Sequence, residues 1–112
     1  MREMKFRAII NATTVIPFTL ADLVNPEPIF SIRELVIPWL RIGNVPDMHT
    51  GLKDKNGKEI YDKDIVEDDS ENLVGIIDWH FDRWYIKKGL TGGYSLSLYA
   101  KHVEVIGREA TR

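Results

Sequence analysis

"TGLKDKNGKEIYDKDIV", residues 50–66, is the most patterned stretch of this chain. Polar residues crowd around Asn56-Gly57, and an apolar–polar stripe follows and closes on Asp64-Ile65-Val66. Three readings compete: a phosphate loop, a metal loop, or a turn that opens a β-domain. A phosphate loop needs Gly-x-x-x-x-Gly-Lys-Ser/Thr between a strand and a helix. Gly51 and Gly57 stand one position too far apart for that, and Glu59 follows Lys58 where a hydroxyl is required. A calcium loop starting at Asp54 needs a bidentate Glu at its twelfth position, and Ile65 stands there. The turn reading remains, because Asn-Gly tolerates the left-handed backbone that tight turns demand.

Working outward, the back half reads as short strands. Asn56-Gly57 joins Leu52 to a strand entering at Ile60 and Tyr61, and Ile65-Val66 continues as a buried strand. Glu67-Asp68-Asp69-Ser70-Glu71-Asn72 is a polar loop, expected to be solvated and to bind no metal. Leu73 to Phe81 alternates, with Ile77, Trp79 and Phe81 on one face. Asp82-Arg83 begins a reversal into Trp84-Tyr85-Ile86, and Gly92-Gly93 signals a second hairpin turn before a strand at Tyr94 to Leu96. Ser97 to His102 suits one 3₁₀ turn, and Val103 to Ile106 makes the last strand. This is the plan of an SH3-like small β-barrel, with five strands in residues 60–107 and Val66, Ile77, Trp79 and Val105 expected in the core.

The front half is mixed. All five prolines lie in residues 1–50. Lys5 to Ile10 predicts a strand; Val15-Ile16 favours another, which Pro17 interrupts. Thr19 is placed to cap a helical turn through Ala21, Asp22 and Leu23. Ser31, with Glu34 three residues on, has the capping-box spacing for a short helix from Ile32, which Pro38 ends or kinks. Ile32, Leu35, Val36 and Leu40 share one stripe, and Ile37 and Trp39 fall outside it. The expected organisation is therefore mainly β (α+β). Residues 1–47 form an N-terminal strand plus a partly helical segment, and residues 48–112 form the barrel domain.

Composition bounds the function. At 112 residues the chain is one domain by size. A net charge of −2 gives no global attraction to nucleic acid or an anionic membrane. The absence of cysteine removes disulfides and thiolate chemistry and suits a reducing cytoplasm. Met1-Arg2-Glu3-Met4-Lys5 lacks a signal peptide's apolar core, and no apolar run spans a bilayer. His49, His80 and His102 are scattered without ligand spacing. His80 and Asp78 share a strand face about 7 Å apart, and Ser95 and Ser97 lie near His102, but no nucleophile is set beside a base. No catalytic residue, metal or cofactor is expected.

Three segments together carry a family resemblance: "MREMKFRA" at the start, "TGLKDKNGKEIYDKDIV" in the middle and "YSLSLYAKHVEVIG" near the end. They resemble the YopX-like family of small proteins from phages and prophages of Gram-positive bacteria. The resemblance implies a β-rich fold and a phage context in the cytoplasm of a bacterial host, and it implies no reaction. Two positions depart from the family's pattern. Lys63 stands where the family has a glycine before "DIV", and Arg108-Glu109-Ala110 replaces its Asn-Ile-Tyr continuation, as a shortened tail would.

Two binding readings follow. Ile37-Pro38-Trp39-Leu40 is more apolar than a small barrel needs, so Ile37, Trp39 and Leu40 are the candidate interface of a homo-oligomer, a symmetric dimer most simply, or of a host or phage protein. Second, Arg83, Trp84, Tyr85, Lys87 and Lys88 cluster on one hairpin, where bases would stack on the aromatics and phosphates meet the cations. Against this, at least two of Trp79, Phe81 and Trp84 are expected in the core.

Overall fold

In the computed structural model, which describes residues 4–80, 83–88 and 92–109, the strands fall into two antiparallel sheets. The fold is mainly β. The chain divides into two compact units, Met1–His49 and Thr50–Arg112.

The first unit is built on a hairpin of β1 (Lys5–Asn11) and β2 (Thr14–Thr19). Phe6 lies opposite Phe18, their rings stacked 5.6 Å apart, and Ala8 lies opposite Ile16. Pro17 does not break β2, because β2 is an edge strand and a missing N–H there costs no ladder bond. On its other side β1 pairs with the start of β3 (Asp47–Lys53) at Phe6↔Met48 and Arg7↔Asp47. Arg7 Nε donates to the Asp47 carboxylate at 2.8 Å, and both side chains are nearly out of solvent. Thr19 caps α1 (Leu20–Val24) as its sequence indicates: its hydroxyl accepts from Asp22 N, and the Asp22 carboxylate accepts from Thr19 N.

The next helix departs from expectation at its start. Ser31 is itself helical, with φ −61 and ψ −35, and caps nothing with its side chain. Ile32–Val36 is wound as a π turn, in which Ile37 N reaches back to the Ile32 carbonyl, and it runs into α2 (Ile37–Arg41). Pro38 follows the π turn inside a continuous helical run from residue 30 to 41, so it does not end the helix. The wider turn also rotates the stripe. Ile32 and Val36 are buried with Ala8 and Phe18, and Ile37, Trp39 and Leu40 all pack against that cluster.

The second unit holds the end of β3, β4 (Glu59–Tyr61) and a five-stranded sheet in the order β8-β7-β6-β5-β9. Its strands are β5 (Asp64–Asp68), β6 (Leu73–His80), β7 (Arg83–Lys88), β8 (Gly92–Ser95) and β9 (Glu104–Arg108). Among the described residues β8 and β9 are the two edges, so the sheet is open. Val66, Ile77, Val105, Ile60, Leu73, Ile86, Leu96 and Val103 form the core. Trp79 is the exception to the expected core. It lies opposite Trp84 at the far end of β6 and is 50% exposed, its ring edge-on to Trp84 at 5.0 Å. Trp84 packs on the core only in part. Phe81 and Asp82 lie outside the described residues.

Gly92-Gly93 is not a turn but part of β8, paired with Lys88 and Lys87. Leu96 leaves the strand and opens α3 (Leu96–Tyr99), which tightens into a 3₁₀ turn at Ala100–His102. The segment is therefore longer than the single turn its polarity indicates, because Leu96 and Ala100 are buried four residues apart on one side.

Candidate functional site

Residues 50–66 build the centre of the second unit. Thr50 Oγ1 donates to the Ile60 carbonyl at 2.7 Å, and Asp54 N donates to the Lys58 carbonyl at 2.8 Å, closing a hairpin between β3 and β4. Gly57 sits at φ +81. Asp54 is only 5% exposed. Its Oδ1 accepts from Asn56 N and Lys58 N, and its Oδ2 accepts from Val105 N, each at 2.9 Å. Lys55 N adds a bond to the Val103 carbonyl at 2.9 Å. The turn is thus sewn to β9. Burial alone would raise the Asp54 pKa; the three amides and the nearby Lys58 charge outweigh it and hold it below the usual value.

The other aspartates of the region serve the same end. Asp64 is buried and accepts from Tyr61 N at 2.8 Å, closing the β4–β5 turn over Asp62-Lys63. Asp68 is buried and accepts from Ser70 N and Ser70 Oγ, capping a 3₁₀ turn at Asp69–Glu71. The Ser70 hydroxyl leads in holding its pKa down. Glu67 is pushed up, chiefly by the charge of Asp69. Carboxylates that accept from backbone amides organise turns, and among the described residues no three acidic or histidine side chains gather as a metal site.

Lys63 stands at φ +72, in the left-handed region. The geometry that a glycine would supply at this position is retained with a lysine in it. Lys63 N donates to the Ile77 carbonyl at 2.9 Å, and Glu109 N donates to the Lys63 carbonyl at 2.8 Å. Beside this turn lies a pocket of about 380 Å³, lined by Asp62, Lys63, Ile76, Ile77, Asp78, Lys87 and Glu109. Sequence reading missed it, because its charged groups come from a turn, two strands and the segment after β9. Only the glycine-to-lysine departure at position 63 marked it.

The structure separates the residues of the aromatic–basic hairpin. Asp78↔Tyr85, His80↔Arg83 and Ile76↔Lys87 are cross-strand pairs, so Arg83, Tyr85 and Lys87 share one sheet face. Trp84 lies on the opposite face with Trp79, and Lys88, four residues on in β7, shares that face with it. His80 meets the Tyr85 ring edge-on at 6.1 Å, and the Asp78 carboxylate accepts from Trp79 N instead of orienting His80. Of the assembly candidates, Ile37, Trp39 and Leu40 are half-buried in their own unit. The largely exposed apolar side chains of that unit are others: Val24 (79% exposed), Ile29, Phe30, Ile42 (81%) and Val45.

A small antiparallel β protein with its hairpins tied by buried aspartates is thus the class defined by fold and site. The chain belongs to the family described as YopX protein, whose pattern matches residues 34–108. No curated relative matches it. Among the described residues no helix is long and apolar enough to cross a membrane.

Proposed function

We propose that this chain is a non-enzymatic phage or prophage accessory protein that acts in the host cytoplasm as a self-associating interaction module, with its second unit a variant of the SH3-like barrel. One observation carries the reading: Leu20, Val24, Ile29, Phe30, Ile42 and Val45 are all more than half exposed within one short unit. Burying such side chains against a second copy gains roughly 25 cal/mol per Å² removed from water. Ile37, Trp39 and Leu40 are half-buried against the apolar cluster of the same unit and keep part of their surface for a partner, with Trp39 the expected anchor. A symmetric dimer is the simplest closed assembly. Light scattering coupled to size exclusion at tens of micromolar tests this. A dimer that Val24→Asp with Ile42→Asp dissociates, with unchanged circular dichroism, supports the reading; a wild-type monomer ends it.

The second reading is a nucleic-acid interface. The placement of Arg83, Tyr85 and Lys87 on one face favours it, with Tyr85 to stack on a base and the two cations to meet phosphates. Trp84 takes no part from that face. A gel shift that weakens steeply with salt is its signature.

A further inference from the structure

We propose that the pocket beside the Asp62-Lys63 turn receives a basic side chain, an arginine or a lysine, presented by a partner protein. The site stands independently of self-association, since every lining residue belongs to the second unit. Its volume, about 380 Å³, is at the small end of ligand pockets and suits one side chain better than an extended segment.

The charge sets the sign. Asp62, Asp78 and Glu109 place three carboxylates on the walls against the two ammonium groups of Lys63 and Lys87, one negative charge in excess. Ile76 is half-buried and gives the pocket an apolar surface along which an aliphatic stem lies. One oxygen of Asp78 is held by Trp79 N at 3.0 Å, which fixes the carboxylate and leaves its second oxygen as an acceptor. A guanidinium matches such carboxylates with paired, charge-assisted bonds. Lys63 and Lys87, which also line the pocket, favour an acidic residue next to the basic one in the partner.

The pocket is preformed. Lys63 N to the Ile77 carbonyl and Glu109 N to the Lys63 carbonyl tie the turn to β6 and to the chain after β9. Lys63 holds a left-handed backbone that a side chain adopts only against a cost. A turn retained in that state presents the lysine and its neighbours without further ordering on binding, which spares affinity.

The test is an amide NMR titration of the full ¹⁵N-labelled chain at low salt with three probes: acetyl-arginine amide, its neutral isostere acetyl-citrulline amide, and acetyl-glutamate amide. The expected result is a saturable shift at Lys63, Asp78, Lys87 and Glu109 with the arginine probe, about tenfold weaker with citrulline. Asp78→Asn with Glu109→Gln should weaken the arginine probe by about the same factor. If that double variant loses its dispersed spectrum, Glu109→Gln alone, at an exposed position, carries the comparison. No saturable shift, equal response to arginine and citrulline, or preference for glutamate each overturns the proposal, the last by making the lysines an anion site. None of these outcomes depends on the oligomeric state, which light scattering reads separately.

Discussion

The Asp54 carboxylate accepts the amide of Val105 at 2.9 Å, 51 residues away in sequence. One side chain thereby joins the tip of the β3–β4 hairpin to the last strand. Because the same carboxylate also takes Asn56 N and Lys58 N, it is a turn organiser and a tertiary tie at once. Asp54→Asn replaces one acceptor oxygen by a donor that must face an amide. It should cost about 1.5–3 kcal/mol by urea denaturation, the range for hydrogen bonds to a charged group. A loss below the error of that measurement would show the tie to be idle.

Asp54 also sets an acid limb. Its folded-state pKa is lowered, so its contribution is fully present above the ordinary value of 3.8 and is lost as pH falls through the folded value. Stability of the wild type should therefore fall below that ordinary value more steeply than that of Asp54→Asn. Parallel melting curves from pH 5 to pH 2 would contradict this.

Gly57 stands at φ +81 with open space around its Cβ position, so a substitution there is strained by backbone alone. Gly57→Val should cost on the order of 1–2 kcal/mol. An unchanged melting temperature would mean that the loop relaxes into another turn.

Lys63 offers the reverse experiment. Lys63→Gly relieves a left-handed side chain, worth about 1–2 kcal/mol, against about 0.5–1 kcal/mol for glycine's greater chain entropy. The net gain should be a few tenths to about 1 kcal/mol, and Lys63→Val should lose stability instead. Thermal melts of both variants decide it, and a stabilised valine variant would refute the strain.

Gly75 is a matter of space. A Cβ there would lie 2.5 Å from Ile86 Cγ2 and 2.9 Å from the Lys87 carbonyl oxygen. Gly75→Ala should cost about 1–3 kcal/mol, the range for overpacking, although alanine is an ordinary strand residue. A neutral effect on the denaturation midpoint would show that β6 and β7 separate easily.

The local chemistry was written in the residues. Asn56-Gly57 determined a turn, Thr19 with Asp22 a helix cap, and the alternation of Leu73–Ile77 a strand, because each rests on neighbours within a few positions. The apolar identity of Val66, Ile77 and Val105 was enough to place them in the core. The sequence of residues 50–66 was also enough to discard phosphate and calcium loops and to point to the family.

Tertiary structure decided whatever depended on partners distant in sequence. Trp79 alternates correctly for the core face, yet β6 carries it past the end of the core, so half of it stays wet. Ile37 and Trp39 fall outside the apolar stripe by periodicity, yet beyond the π turn at Ile32–Val36 both pack against the apolar cluster. Gly92-Gly93 reads as a turn by itself and becomes strand only because β7 offers Lys87 and Lys88 as partners. The charged pocket arose the same way: Lys63, Asp78, Lys87 and Glu109 are chemically ordinary in sequence, and strand register and the left-handed turn bring them together. Periodicity reports which way a side chain points from its own backbone, whereas register and twist determine what stands opposite it.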